Sequence, residues 1–247
     1  KEKRSIIEKY EEVILLNSSV YGPLFPLLPI FEKMDSEKCD FWTPTQWANY
    51  IPNHLDVAPH FQPYFLVIKK QLFNSDYFWM FWEGFDENQS NYWDLVINGE
   101  VELTLHLERN GFIGKAYASN YSKEPLDDLG YNEPFSQNGI DVLIRNCKVP
   151  FLKIKSFAYN HHRPYSISRE IFDALLDSRS NYPINLIDDH LNRTQALSNI
   201  KSLPDTTIIL EDDTLYKAKN TKVAVFAHIY YFDDIKDTIN EILQLPV

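Results

Sequence analysis

The stretch VILLNSSVYGPLFPLLP, residues 13–29, predicts the fold class. It begins with a continuous apolar run, residues 13–16, which has the length of a strand and stops at Asn17. A strand that is apolar on both sides is typical of a sheet whose two faces are covered by helices. The sequence therefore predicts an α/β protein with a mostly parallel central sheet, flanking helices and a strand over residues 12–16.

A second stretch, HFQPYFLVIKK at residues 60–70, contains the next predicted strand, residues 65–68. Before it, His60, Gln62 and Tyr64 occupy alternate positions, so their side chains are expected on one side of the extended chain. An imidazole, an amide and a phenol together suit the hydroxyl pattern of a sugar. The competing interpretation places Tyr64 in the core and His60 in an exposed loop.

The composition is that of a globular chain with an acidic surface. Of 247 residues, 44% are hydrophobic and 15% aromatic, and no apolar run approaches the roughly 18 residues that a membrane-spanning helix needs. The formal net charge of −11 disfavours nucleic acid or an anionic membrane as a partner. Two cysteines, Cys39 and Cys147, form no disulfide framework, which favours the reducing cytoplasm.

Periodicity and capping residues predict the other elements. The longest predicted helix covers residues 93–110 and ends at Gly111, in the position where glycine terminates many helices. Residues 42–59 contain three prolines and are predicted as an irregular loop. Further helices are predicted at residues 3–10, 27–34, 76–83, 169–176, 183–197 and 235–243, and further strands at 114–121, 206–210 and 223–228.

Five blocks follow one another along the chain: NSSVYGPLFP, CDFW, HFQPYFLVIKK, GEVELTLHLERNGF and KVPFLKIKSF. In this order they resemble the rhamnan synthesis protein F family, glycosyltransferases of cell-surface polysaccharide synthesis. The resemblance implies a fold of the GT-A nucleotide-sugar type. It implies transfer of a sugar from a nucleotide-linked donor, dTDP-rhamnose by resemblance, to a polysaccharide or lipid-linked acceptor, by a cytoplasmic protein that associates peripherally with membrane enzymes.

The resemblance also implies a division of the chain. Residues 1–202 are expected to form a glycosyltransferase-like module that lacks its N-terminal part, and residues 203–221 a connection. Residues 222–247 are expected to provide the strand and helix that open a second module. Because an apolar strand and helix do not remain solvated, we expect this last piece to pack on the first module or on a neighbouring chain.

Sugar transfer needs a base for the acceptor hydroxyl, and Glu100 is the first candidate. By resemblance it lies near a helix start, where partial burial makes a carboxylate a stronger base. Glu102 is the substitute, and the alternative is a first-turn glutamate that interacts with the helix dipole. The residues expected to bind the substrates are Asn17, Ser18, Ser19, Tyr21, Gly22, Trp42, His60, Gln62 and Tyr64.

The resemblance implies Mg²⁺ or Mn²⁺ on the donor diphosphate. The family pattern has an aspartate where this chain has Ser18. Asparagine and serine are poor sole ligands for a hard divalent cation, so the sequence leaves metal dependence open.

Other aromatic and charged residues are open to two interpretations. Trp42 and Trp47 are candidates for exposed sugar contacts. The aromatic residues between 73 and 93 form either a stacking platform for sugar rings or, for most of them, core. The run His-His-Arg at 161–163 is expected in a solvated loop, and the acidic run at 211–213 in a turn.

A second class of function stays open beside the glycosyltransferase. Ser18 in place of the family aspartate, and the missing upstream part, favour a non-catalytic saccharide-binding or scaffolding module of a larger synthase. A glycoside hydrolase would need two opposed carboxylates, and no pair in the sequence stands out for that role.

Overall fold

The chain divides into two compact units. The structure, a computed structural model, describes residues 2–47, 58–86, 88–118, 139, 142–157, 168–194 and 225–228. The first unit contains residues 1–18, 34–117 and 214–247, and the second contains residues 19–33 and 118–213.

Short strands and helices follow one another along the described residues. The strands are β1 Glu12–Asn17, β2 Val20–Tyr21, β3 Phe41–Thr43, β4 Gln46–Trp47, β5 His60–Phe61, β6 Phe65–Lys69, β7 Gly114–Ala116, β8 Leu152–Lys153 and β9 Val225–His228. The α-helices are α1 Glu2–Ile7, α2 Leu28–Asp35, α3 Lys70–Phe73, α4 Asp76–Gly84, α5 Tyr92–Leu95, α6 Glu102–Arg109, α7 Ser168–Asp177 and α8 Ile184–Thr194. None of the helices in this part of the chain is long and apolar enough to cross a membrane.

A five-stranded mixed sheet forms the centre of the first unit, in the order β7-β3-β6-β1-β9. β6 runs antiparallel to β1 and β3, whereas β9 pairs parallel with β1 and β7 parallel with β3. The prediction of an α/β architecture is confirmed, but the prediction of a mostly parallel sheet is wrong. A continuous apolar run shows that both faces of a strand are covered, and it carries no information on the direction of the neighbouring strands.

The core of the first unit lies against one face of this sheet. Leu66 and Ile68 are two residues apart on β6 and therefore share a face, and Leu103 and Leu107 share one side of α6. All four are buried in one apolar cluster, together with Ile7, Val13, Phe41, Leu72, Phe73 and Phe78. This packing brings the start of α6 onto the face of the sheet from which Leu66 and Ile68 project.

The predicted long helix forms, with an irregular middle. Helical backbone runs from α5 through a π-helical segment, Val96–Val101, into α6. At its end Gly111 has a φ of 85°, its N–H donates to the carbonyl of Glu108, and the N–H of Phe112 donates to that of Leu107. These two bonds form a Schellman motif, so the prediction that Gly111 terminates the helix is confirmed.

Most of the other predicted elements are confirmed with small shifts of their ends. The predicted strands at 12–16, 65–68, 114–121 and 223–228 correspond to β1, β6, β7 and β9, and the predicted helices at 3–10, 27–34, 76–83, 169–176 and 183–197 to α1, α2, α4, α7 and α8. The predicted loop at 42–59 is wrong at its start, because β3 and β4 form there. The predictions at 161–163, 206–210, 211–213 and 235–243 lie outside the described residues.

In the second unit, Gly22 lies where two chain segments approach closely. Its φ is 153°, and a Cβ atom at this position would lie 2.5 Å from Cδ1 of Phe151 and 2.5 Å from the carbonyl oxygen of Pro150. The same carbonyl accepts the N–H of Leu24, and β2 pairs antiparallel with β8. Only glycine fits this position without a displacement of the neighbouring chain.

Removal of residues 222–247 tests the pairing of β9 with β1. Without β9, the backbone groups of β1 on that side lose their partners, and an interior strand becomes an edge strand. We expect a lower urea midpoint, and faster hydrogen exchange of the β1 amides that face β9 than of those that face β6. An unchanged midpoint would show that this piece contributes nothing to the stability of the first unit.

The carboxyl of Glu12, at the start of β1, provides a pH-dependent test. Burial raises the pKa of Glu12 and so does Asp35, while Lys69, opposite it on β6, lowers this pKa. Because the folded chain then holds the proton more tightly than the unfolded chain, stability falls as pH rises from the ordinary glutamate value through the raised one.

We therefore expect Glu12→Gln to unfold at a higher urea concentration than the wild type at pH 7, and at the same concentration below a pH of about 4. The matched control is Glu11→Gln, since Glu11 is exposed and precedes the strand. A Glu12→Gln chain that is less stable than the wild type at pH 7 would show that the attraction of Lys69 outweighs the burial.

Candidate functional site

His60 and Glu100 come together in the first unit. The Nε2 atom of His60 lies 3.7 Å from Oε2 of Glu100, a distance longer than a direct hydrogen bond but within ion-pair range when the imidazole is protonated. The side chain of His60 is 3% exposed and that of Glu100 28% exposed. The pair therefore consists of a buried imidazole behind a carboxylate that solvent can reach.

Contacts on the other sides of the imidazole fix its orientation. The Nδ1 atom lies 3.0 Å from the carbonyl oxygen of Ala58 and, because a carbonyl only accepts, Nδ1 carries a hydrogen. The ring of Trp47 lies almost parallel to that of His60, at 10° and with 6.2 Å between centroids. The two residues also oppose each other in the pair of β4 and β5. Nε2 is thereby directed towards Glu100.

Thr104 joins the strand of His60 to the helix of Glu100. Its hydroxyl accepts the backbone N–H of Phe61 at 3.1 Å and donates to the carbonyl of Glu100 at 3.2 Å. Thr104 is buried, so neither bond exchanges freely with water. One side chain thus holds the backbone next to His60 and the backbone of Glu100 in a defined arrangement.

The helix that carries Glu100 has π-helical geometry at this residue. π-helical segments are rare; they occur mostly inside α-helices and frequently at functional sites. The wider turn changes the direction in which successive side chains project relative to a regular α-helix. Glu100 reaches His60 while Leu103 and Leu107, in the α-helical turns that follow, pack in the core.

Thr45, Gln62 and Tyr64 form a buried chain of hydrogen bonds. The Oγ1 atom of Thr45 lies 2.7 Å from Oε1 of Gln62 and 2.9 Å from the hydroxyl of Tyr64. Since an amide oxygen only accepts, Thr45 donates to Gln62, and Tyr64 donates to Thr45. Burial raises the pKa of Tyr64 well above its usual value, and the bond with Thr45 opposes this in part, so the phenol stays protonated.

The burial of these side chains agrees with neither interpretation of the HFQPYFLVIKK block in full. Tyr64 lies in the core, as the competing interpretation stated, whereas His60 is buried and the prediction of an exposed loop residue is wrong. Gln62 and Tyr64 are each 2% exposed, and the side chain of each makes a hydrogen bond with Thr45. They support the backbone beside His60 and present little surface to a substrate.

Asn17 lies at the end of β1, beside this block. Its N–H donates to the carbonyl of Tyr64 at 3.1 Å. By strand alternation Asn17 shares a sheet face with Val13 and Leu15, which pack in the same apolar cluster as Leu103 of α6. Asn17 and the helix that carries Glu100 therefore lie on the same side of the sheet.

Trp42 requires a correction, because the sequence suggested an exposed sugar contact. It is 0% exposed, pairs with Val67 in the sheet, and places its ring 5.8 Å from that of Phe65. β3 lies between β6 and β7, and all three of its residues are buried, so both of its faces are covered. The prediction that Trp42 is exposed is therefore wrong.

The other predicted binding residues are divided between the units: Ser18 belongs to the first, and Ser19, Tyr21 and Gly22 to the second. The hydroxyl of Tyr21 lies 2.7 Å from Nδ1 of His190, with the two rings edge to face. Burial, and secondarily Tyr182, raise the pKa of Tyr21 well above its usual value, so this phenol stays protonated.

The predicted metal site lacks suitable ligands. Asn17, Ser18 and Ser19 offer amide and hydroxyl oxygens, whereas Mg²⁺ and Mn²⁺ are held chiefly by carboxylates. In the described ranges, no group of three or more His, Cys, Asp or Glu side chains is arranged to hold a metal ion. These residues do not fit a resident divalent cation, and no step proposed below passes through one.

A family model described as rhamnan synthesis protein F matches residues 4–247, nearly the whole chain. The chain belongs to this family. The resemblance carried by the five blocks is thereby confirmed, and with it a place in rhamnan synthesis. No curated protein and no solved structure matches the chain. The likeness to the GT-A fold stays a prediction.

In this member of the rhamnan synthesis protein F family, sequence analysis missed Thr45, Thr104 and His190. Each acts through a partner that is distant in the sequence: Gln62 for Thr45, Phe61 for Thr104 and Tyr21 for His190. The spacing of Thr104 from Glu100 was the one available signal, because a threonine in a helix often donates to the carbonyl four residues before it.

Replacement of Thr104 tests its role in holding Glu100. Thr104→Val keeps the shape but leaves the buried N–H of Phe61 without its acceptor, which costs about 1–3 kcal/mol of stability. Thr104→Ser is the matched control, because its hydroxyl keeps both bonds. We expect urea unfolding to show the loss in the valine variant alone, with faster exchange of the Phe61 amide. Equal stability of the two variants would contradict this role.

Proposed function

We propose that this family member is a glycosyltransferase that moves a sugar from a nucleotide-linked donor to a growing cell-surface polysaccharide or a lipid-linked acceptor. Membership of a rhamnan synthesis family supports rhamnose as the sugar and dTDP-rhamnose as the donor. The reaction takes place at the cytoplasmic face of the membrane, where the protein associates peripherally with the membrane enzymes that use its product.

The pair of His60 and Glu100 is the observation that carries this proposal. A general base must be reachable by the substrate and held in one orientation by its neighbours. The carboxylate of Glu100 is partly exposed, while the imidazole behind it is almost completely buried. The bond from Thr104 to the carbonyl of Glu100 positions the backbone of the same residue.

In the proposed reaction, Glu100 takes the proton of an acceptor hydroxyl. The hydroxyl oxygen forms a bond to the anomeric carbon of the donor sugar, and the bond from that carbon to the diphosphate oxygen breaks. The nucleoside diphosphate leaves with the bonding electron pair, and the proton stays on Glu100 until solvent removes it. When protonated, His60 carries a hydrogen on Nε2 as well as on Nδ1, so it keeps the carboxylate in place and offsets its charge.

The donor is proposed to bind near the end of β1. Ligands of open α/β sheets lie outside the carboxyl ends of strands, and β1 ends at Asn17. The amide of Asn17 and the hydroxyl of Ser18 offer neutral hydrogen bonds to a sugar or a phosphate.

Glu100→Gln tests the proposed base. The amide keeps the size of the side chain but takes no proton, so we expect turnover to fall by about 10²-fold or more with an unchanged fold and nearly unchanged donor affinity. Transfer is measured with the full-length protein, with and without Mn²⁺. Glu102→Gln is the matched control, because Glu102 is an exposed neighbour that pairs with Arg109.

The measured rates distinguish Glu100 from Glu102 as the base, and a transferase from a binding module. A normal rate in Glu100→Gln with a loss in Glu102→Gln would transfer the role to Glu102. If the wild type binds saccharide and transfers none of the candidate nucleotide sugars, the chain is a non-catalytic saccharide-binding or scaffolding module instead.

A further inference from the structure

The surface of the first unit carries an exposed aromatic face on α4 and α5, made of Trp82, Phe85, Tyr92, Trp93 and Leu95. Tyr92 is 59% exposed and Trp93 49% exposed. The high density of aromatic residues between positions 73 and 93 predicts that most of them are core. Phe73 and Phe78 are indeed buried, but these others are on the surface or at its edge.

The side chains of the aromatic face are continuous. The rings of Trp82 and Phe85 are 6.2 Å apart, and those of Tyr92 and Trp93 are 5.6 Å apart. A Cβ atom on Gly99 would lie 3.6 Å from Phe85 and 3.9 Å from Leu95, so both side chains lie over this glycine. Tyr92 is one helical turn before Leu95, and Gly99 directly precedes Glu100. The aromatic face therefore extends to the residue next to the proposed base.

Amide and carboxylate side chains lie beside the aromatic face and are held in place by hydrogen bonds. The amide nitrogen of Asn98 donates to Oε1 of Gln89 at 2.8 Å, and that of Asn91 donates to Asp94 at 2.8 Å. The oxygen of Asn91 also accepts two backbone N–H groups of α5. Planar polar groups beside aromatic rings match a sugar, which presents apolar C–H groups on its faces and hydroxyls at its edge.

The charge of the residues around the aromatic face determines which partners the face attracts. Glu83, Asp86 and Asp94 lie on or beside it, and the whole chain has a net charge of −11. An anionic lipid surface is repelled by these carboxylates. In a symmetric contact between two copies, the same carboxylates would approach one another. A neutral glycan has no such cost.

We propose that the aromatic face binds a neutral, partly apolar glycan, the acceptor chain, and leads its end to Glu100. The identification of this glycan as the acceptor rests on the proposed function. A deoxyhexose suits the face well, because the methyl group that replaces a hydroxymethyl increases the apolar surface available to the rings.

The test is calorimetric titration of rhamnose oligosaccharides into the whole chain, with no donor present. We expect Trp82→Ala combined with Tyr92→Ala to weaken binding by about tenfold or more, and Trp82→Phe, which keeps a ring, to change it by less than about threefold. The matched control is Leu28→Ala, an equally accessible apolar residue of the second unit, with unchanged binding expected. Equal thermal unfolding of all variants shows that the fold is intact.

The inference would be overturned by no oligosaccharide binding by the wild type, by equal binding by the double variant, or by wild-type cosedimentation with phosphatidylcholine–phosphatidylglycerol vesicles that is lost in the double variant. A dimer in sedimentation that the double variant dissociates would also overturn it. Normal transfer by Glu100→Gln would instead overturn the proposed base and leave the measured glycan binding unaffected.

Discussion

The antiparallel pairing of β6 with both β1 and β3 is the constraint on which the candidate site depends. β6 has neighbours on both edges, and four of its five residues are buried, so its position in the first unit is strongly determined. The residues just before β6 contain His60, Gln62 and Tyr64, and their places follow from it. The N–H of Asn17 extends the pairing with β1 by bonding the carbonyl of Tyr64, which brings the end of β1 to the same region.

Buried hydroxyl groups then hold the site to this frame. Thr45 links Gln62 with Tyr64, and Thr104 links the strand of His60 with the helix of Glu100. A buried polar group is costly unless it is satisfied, so such links make alternative arrangements unfavourable. The outcome is a partly exposed carboxylate on a largely buried support, which is the arrangement that a general base requires.

Two tryptophans of the first unit, Trp42 and Trp82, differ in their exposure to solvent. Trp42 is buried because β3 lies between two strands and both of its faces are covered. Trp82 lies one helical turn after the buried Phe78, on the same side of α4 but near the end of the helix, and it remains 39% exposed. The carboxylates near the exposed rings repel partners with negative charge. The exposed rings and the carboxylate of Glu100, the two features on which the proposals rest, thus both belong to the first unit.

The sequence by itself determined the family, the α/β class, the positions of β1, β6 and α6 and the stop at Gly111, because apolar runs, helical periodicity and glycine conformation are local properties. It also selected Glu100 and His60, but only as separate residues of two sequence blocks. Strand direction, the burial of Trp42 and the roles of Thr45 and Thr104 were decided by the tertiary structure. Each of these depends on contacts between residues far apart in the chain, and periodicity within a segment carries no information about the partner it meets.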